Sequence, residues 1–94
     1  MNSSEKKIIK IFVYMAEPND FINSAEKLMA NEFIKGCCLS FLESGTMEYS
    51  SYLQMKNLKN TVYNNVDFKN SDNVIYFDCM RLAFSIIEKY SKQK

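Results

Sequence analysis

The sequence contains no histidine, only two glycines and a single proline. Without histidine, its cysteines have no imidazole base to activate a nucleophilic thiol, and no CxxC spacing supplies zinc ligands. So few glycines and prolines disfavour an all-β sandwich, because that fold needs many tight turns. Gly36 and Gly45 each stand alone, so no glycine-rich phosphate loop is present. These absences predict a protein that is not an enzyme and that holds no metal or cofactor.

An excess of charge of one sign and long apolar runs are also missing. The chain carries 12 basic and 11 acidic residues, and Arg81 is its only arginine. Nucleic-acid binders use arginine for phosphate clamps and base contacts, so a nucleic-acid partner is not expected. No stretch approaches the roughly 20 apolar residues of a membrane span, so no membrane partner is expected either. Three cysteines without CxxC spacing (Cys37, Cys38 and Cys79) predict reduced thiols and a cytoplasmic protein.

The chain does have enough apolar bulk for one core. Apolar residues make up 47% and charged residues 24% of the sequence, and seven Phe, six Tyr and six Met are among them. This composition is typical of a globular chain rather than a disordered one. A chain of 94 residues is expected to form a single helical domain over 1–94.

The segment 72–92 carries the strongest pattern. At about 100° per residue of α-helix, its polar side chains share one arc of about 100°, and apolar side chains cover roughly 220°. The polar arc consists of Asp78, Arg81, Ser85, Glu88, Lys89 and Lys92. A helix with so wide an apolar surface must contact at least two other elements, so it is predicted to be the centre of the fold.

The N-terminal segment is predicted to be a helix. Its apolar residues recur at helical spacing, at Ile8, Ile11, Phe12 and Met15. Ser3 or Ser4 is the expected N-cap, and Pro18 is expected to end the helix. Residues 8–15 also alternate like a β-strand, so an α+β fold with a strand at 8–15 is the alternative. We favour the helix because no second clean strand is evident to pair with such a strand.

A second helix is expected between residues 21 and 43, with Asn19 or Asp20 as its N-cap. Its inward side chains are predicted to be Phe21, Ala25, Leu28, Met29 and Phe33. Its outward side chains are predicted to be Asn23, Glu26, Lys27 and Asn31. Gly36 permits a break between residues 31 and 36, and Gly45 is expected to end the helix in the left-handed conformation.

A third helix is expected to begin at Thr46 as its N-cap. Its inward stripe is predicted to be Met47, Ser51, Met55, Leu58 and Val62. Residues 64–73 are expected to be the longest loop, with Val66 and Phe68 fixing it to the core, and Ser71 or Asp72 is expected to cap the last helix. The predicted fold is therefore all-α, a compact four-helix bundle around the C-terminal helix, or five short helices if Gly36 breaks the second.

One helix face is a candidate binding surface. Four side chains of the third helix lie within about 60° of one another at spacing 4, 3, 4; they are Tyr52, Lys56, Lys59 and Tyr63. Such a face could contact an acidic protein or stack against single-stranded nucleic acid. The alternative is structural: both tyrosines border the core, and the lysine stems lie across them.

The surplus of methionine and tyrosine favours a binding function. Methionine adapts to varied partners, and tyrosine is enriched at interfaces. The leading hypothesis is a small non-catalytic helical protein that binds and neutralises or regulates a protein partner, of the inhibitor, immunity-protein, antitoxin or adaptor type. One alternative is a homo-oligomeric structural or ligand-sequestering bundle. Another is a weak nucleic-acid binder that uses the Tyr/Lys face.

Overall fold

The computed structural model describes residues 1–15 and 20–92 and shows an all-α bundle. Its helices are α1 (Ser3–Met15), α2 (Ala25–Ser44), α3 (Tyr49–Tyr63) and α4 (Ser71–Tyr90). Two short strands, β1 (Met47–Glu48) and β2 (Ser91–Lys92), pair in parallel, with Met47 opposite Ser91. The predicted four-helix bundle is confirmed, and the alternative strand at 8–15 is wrong because that segment lies within α1.

Helix α1 begins with a capping box in which Asn2 is the N-cap. The Asn2 Oδ1 accepts a hydrogen bond from the backbone N–H of Glu5 at 2.8 Å, and the Glu5 Oε1 accepts one from the backbone N–H of Asn2 at 3.0 Å. The predicted caps, Ser3 and Ser4, are wrong because each is followed three residues later by a lysine, which cannot return the bond. The predicted terminator, Pro18, lies outside the described residues.

Helix α2 begins later than expected. Its N-cap is Ser24, whose hydroxyl accepts a hydrogen bond from the backbone N–H of Lys27 at 3.1 Å. The predicted cap Asp20 is therefore wrong, and Asn19 lies outside the described residues. Phe21 precedes the helix but is still buried, with its carbonyl bonded to the Lys27 ammonium at 3.2 Å.

Gly36 does not break α2, so the bundle has four helices rather than five within the described residues. A helical glycine costs about 1 kcal/mol relative to alanine, whereas each fully buried large apolar side chain contributes about 1.5–3 kcal/mol. Ile34 and Phe41, on either side of Gly36, are completely buried and outweigh that cost. The predicted end is confirmed: Gly45 has φ 75°, and its N–H donates to the Phe41 carbonyl at 2.7 Å.

The start of α3 differs from the prediction because Thr46 makes a distant contact. Its hydroxyl donates to the Tyr90 carbonyl at 3.3 Å, and the two residues after it are extended to form β1. Helix α3 consequently begins at Tyr49. Helix α4 is capped by Asn70, whose Oδ1 accepts from the backbone N–H of Asp72 at 2.9 Å, so the predicted caps Ser71 and Asp72 are wrong.

Helix α4 contacts all three other helices, and its most extensive packing is against α1. Its polar arc is exposed, and its core side chains are Tyr76, Phe77, Met80, Ala83, Phe84 and Ile87. Helix α1 runs antiparallel to it, since Glu5 contacts Tyr90 at one end and Phe12 contacts Tyr76 at the other. The wide apolar arc is only partly covered, because Ile75 and Leu82 are 51% and 44% exposed.

The loop between α3 and α4 is fixed to the core as predicted. The Phe68 ring lies 5.3 Å from the Phe77 ring and 5.8 Å from the Tyr63 ring, and Val66 packs against the same core. These contacts hold the loop against the ends of both helices that it connects.

Glu5 joins the first turn of α1 to the last turn of α4 through its charge. Its carboxylate accepts from the Asn2 backbone N–H, from the Tyr90 hydroxyl at 2.8 Å and from the Lys89 ammonium at 3.0 Å. These bonds, the one from Asn2 first, lower the pKa of Glu5 from 4.5 to about 2. A carboxylate with a lowered folded-state pKa stabilises the fold above its unfolded pKa, and this contribution is lost as pH falls towards the folded value.

We predict that Glu5→Gln lowers the melting temperature at pH 7, because the variant keeps the side-chain shape but removes the charge. The difference from the parent protein should shrink as pH falls from about 4.5 to about 2. Thermal unfolding followed by circular dichroism across this range measures it. Glu26→Gln, a matched change in the first turn of α2, should show a smaller effect. A Glu5→Gln difference that is independent of pH would contradict the role assigned to the charge.

Candidate functional site

The predicted Tyr/Lys face packs largely against α4. Tyr52 is only 4% exposed, and its ring lies 6.4 Å from that of Phe84. The Tyr63 ring lies 4.1 Å from that of Phe77, and the Lys59 ammonium lies 5.6 Å from the centre of the Phe84 ring. Three of the four predicted residues thus lie in the α3–α4 contact.

Lys56 is the fourth residue of this face, and it is exposed. Burial, together with a hydrogen bond to Glu88, raises the pKa of Tyr52 to about 12, so its hydroxyl remains protonated. The four residues therefore do not form one fully exposed surface. The arrangement matches the structural alternative, with lysine stems over aromatic rings at the edge of the core.

The cysteines are placed where thiolates are disfavoured. Cys38 is completely buried, and burial raises its pKa to about 12. Burial also raises the pKa of Cys37 and of Cys79, although both are partly exposed. All three are free thiols. Nucleophilic or redox chemistry requires a lowered thiol pKa, so these environments do not favour it.

The described part of the chain contains neither a metal-binding cluster nor a helix suited to crossing a membrane. Across residues 1–15 and 20–92, no three His, Cys, Asp or Glu side chains are grouped so that they could bind a metal ion. Within those same ranges, no helix combines the length and the apolar character that crossing a membrane requires.

A groove follows the outer side of the α2–α3 contact, and we call it the α2–α3 groove. It consists of three adjoining hollows of about 490, 260 and 510 Å³. Glu26 and Thr61 line both the first and the second hollow, and Phe33 lines both the second and the third, so the hollows adjoin one another along α2. The groove extends from Ser24 and Asn64 at one end to Thr46 and Glu48 at the other.

The α2 wall of this groove follows from helical spacing. Met29, Phe33, Gly36 and Ser40 follow one another at 4, 3 and 4 residues, which places them on one side of the helix. A helix of 20 residues is about 30 Å long, so the wall is long enough for a partner helix. Gly36 is in the middle of the wall, and a Cβ built there meets nothing within 4 Å. The groove is therefore open at its centre.

The middle hollow of the groove has an apolar floor, whereas the first hollow is lined mostly by polar side chains, and the rim of the groove is acidic. Met29 is 72% exposed, and Phe33 and Leu58 are half-buried beside it. The rim carries three exposed carboxylates, Glu26, Glu32 and Glu48. The ion pairs found among the described residues are elsewhere, between Arg81 and Asp78 and between Lys89 and Glu5.

Lys27 is the one cation that lines these hollows within the described ranges, and it is 6% exposed. Its ammonium already donates to the Phe21 carbonyl. The rim is consequently negative although the whole chain has a formal net charge of +1.

This groove was not predicted from the sequence, because the inward and outward faces of the first half of α2 were assigned incorrectly. Lys27 and Asn31, predicted to face outward, are 6% and 1% exposed, whereas Leu28 and Met29, predicted to face inward, are 44% and 72% exposed. The buried Asn31 accepts a hydrogen bond from the Tyr76 hydroxyl at 2.8 Å. Helical spacing could have indicated the correct face. Residues three, four and seven positions before the buried Ile34 share its side of the helix, and they are Asn31, Ala30 and Lys27.

Comparison of the chain with protein-family models finds no match. Comparisons with curated proteins and with solved structures find no match either. The function must therefore be argued from the groove and from the surfaces around it.

We predict that Lys59→Ala destabilises the fold and that Lys56→Ala does not. The Lys59 ammonium lies 5.6 Å from the Phe84 ring and 5.8 Å from the Tyr63 ring, whereas the Lys56 side chain is exposed. Loss of cation–π contacts at a partly exposed site should reduce the free energy of unfolding by about 0.5–1 kcal/mol. Urea denaturation of both variants measures the difference. Equal effects would show that Lys59 does not stabilise the α3–α4 contact.

Proposed function

We propose that this chain is a small non-catalytic helical protein that binds another protein and thereby neutralises or regulates it. An inhibitor, an immunity protein, an antitoxin or an adaptor would act in this way. The observation that carries the proposal is the α2–α3 groove, with the accessible apolar side chains of its middle hollow and the exposed carboxylates of its rim.

Exposed apolar side chains gathered along a groove are a reason to expect a protein partner. Scattered apolar side chains are ordinary on a protein surface, but a contiguous set with a polar rim marks an interaction site. Met29 is the most exposed residue of the groove floor, and its flexible thioether can adapt to the shape of a partner. Phe33 and Leu58, on facing walls, provide larger apolar contacts beside it.

The chemistry of the described side chains favours binding over catalysis. The thiols have raised pKa values, and neither a helix N-terminus nor a nearby cation is seen to activate any of them. Free, protonated thiols are also consistent with a reducing compartment, so we propose a cytoplasmic location.

Met29→Asp should abolish capture of the partner, whereas Leu28→Asp should not. Both residues are exposed neighbours on α2, but only Met29 lines the groove. The same charge is thus introduced at adjacent positions that point about 100° apart. The measurement is affinity capture from native lysate by the parent protein and both variants, with quantitative mass spectrometry. A partner that is lost equally with both variants, or with neither, would place the binding surface elsewhere.

A homo-oligomeric bundle is the second candidate, and one surface of α4 favours it. Ile75, Cys79, Leu82 and Ile86 recur at spacing 4, 3, 4 and form a stripe that neighbouring helices cover only in part. Ile75 is 51% and Leu82 is 44% exposed. Spacing of this kind is typical of helix-to-helix association.

If this stripe mediates self-association, the parent protein should be larger than a monomer at micromolar concentration, and Leu82→Asp should return it to 11.0 kDa. Light scattering coupled to size-exclusion chromatography measures the mass. Leu53→Asp, at an exposed position of α3 with similar exposure, is the control. A strictly monomeric parent protein would eliminate the oligomeric function and leave the groove unaffected.

A further inference from the structure

We propose that the α2–α3 groove binds a basic amphipathic helix of a partner protein. The apolar face of that helix would lie on Met29, Phe33 and Leu58, and its Lys and Arg side chains would lie beside the acidic rim. This inference rests on the proposed function and specifies the chemical class of the partner.

The groove selects a helix over an extended peptide because its walls are both helices. An extended segment leaves its backbone N–H and C=O groups unpaired unless a strand edge receives them. Within the described residues, α2 and α3 use their own backbone groups internally, and the neighbouring β1 is only two residues long, so its edge could pair very little of an extended segment. A bound helix satisfies its own backbone and needs only side-chain contacts from the walls.

The length and cross-section of the groove also suit a helix. The α2 wall is about 30 Å long, which corresponds to roughly 20 residues of α-helix. Helices pack at about 8–10 Å between axes, and small residues at the contact allow the closest approach. Gly36 provides such a position at the centre of the wall, and a Cβ built there meets none of the described atoms within 4 Å.

Gly36 has no evident role in the fold of the isolated chain. It has helical backbone geometry, it is exposed, and an added Cβ would meet no atom within 4 Å. Alanine would therefore fit there and would favour the helix. A close approach by a partner helix provides a reason for the missing side chain.

Charge decides between a basic and an acidic partner. Glu26, Glu32 and Glu48 lie along the groove, and no ion pair with a described cation involves them. Covering these carboxylates with an apolar or acidic surface would remove their hydration without compensation. Lys and Arg flanking an apolar stripe would pair with them, and the resulting attraction would weaken as salt increases.

The test uses two designed peptides of about 18 residues that carry the same leucine stripe at helical spacing. One has lysines beside the stripe and the other has glutamates. Binding to the full chain is measured by fluorescence anisotropy at low and at physiological salt. We expect the lysine peptide to bind at least about tenfold more tightly, with the preference decreasing as salt rises.

Charge variants of the protein show whether this preference arises at the groove. Glu32→Lys combined with Glu48→Lys should weaken binding of the lysine peptide at least about tenfold and strengthen binding of the glutamate peptide. Asp20→Lys combined with Asp67→Lys is the matched control, since both positions are exposed and outside the groove. Equal losses in the two double variants would show non-specific attraction and would overturn the proposal.

Variants at Gly36 separate binding from folding. Gly36→Ala should raise the melting temperature, because a helical glycine is replaced without a steric conflict. Gly36→Leu should remain at least as stable as the parent protein, yet bind the lysine peptide at least about tenfold more weakly, because its side chain would occupy the groove. Unchanged affinity in a folded Gly36→Leu protein would overturn the proposal.

The results for peptides and for the natural partner can be told apart. If neither peptide binds but the natural partner is captured and is lost only with Met29→Asp, the groove binds protein and the basic-helix inference is wrong. If the captured segment is acidic or extended, the inference is wrong in the same way. If capture is insensitive to Met29→Asp and neither peptide binds, both proposals fail.

Discussion

The bundle depends on two adjacent aromatic residues of α4, Tyr76 and Phe77. The Tyr76 ring contacts Phe12 of α1 at 5.7 Å, and its hydroxyl donates to Asn31 of α2 at 2.8 Å. The Phe77 ring contacts Tyr63 of α3 at 4.1 Å. Because consecutive residues of a helix point about 100° apart, these two side chains reach all three other helices. These contacts attach the α2–α3 pair, and with it the groove, to α4.

The sequence was sufficient to predict the helices, but it did not predict where most of them begin or which side of α2 faces the core. Wide apolar periodicity identified α4, and Gly45 identified the end of α2, because both signals are local. The caps were harder, since Asn, Ser and Asp are nearly equivalent as caps and the choice depends on what lies three residues later. Burial of Asn31 could not be predicted from the neighbouring sequence, because its hydrogen-bond donor, the Tyr76 hydroxyl, is 45 residues away.

For the two candidate surfaces of α3, the sequence predicts which residues share a face but not which face another helix covers. The spacing of Tyr52, Lys59 and Tyr63 correctly placed them on one side of α3, but only the assembled bundle shows that α4 packs against that side. The middle of the groove lies on a different side of the same helix, where Leu58 faces Met29 and Phe33 of α2, and Tyr63 also lines its first hollow. Periodicity assigns residues to faces, and the arrangement of helices decides which face is covered.

The contacts of the chain are nested. Helix α2 packs mainly against its successor α3, whereas α1 packs mainly against α4, and the Tyr90 hydroxyl reaches Glu5 across 85 residues of sequence. Contact between α2 and α3 therefore closes a short loop of chain. Contact between α1 and α4 closes a loop of nearly the whole chain, and this longer closure costs more chain entropy. The groove lies on α2 and α3, yet the core beneath it is completed only when α1 and α4 are in place. The rigidity of the groove thus depends on the entire chain and not only on α2 and α3, which form its walls.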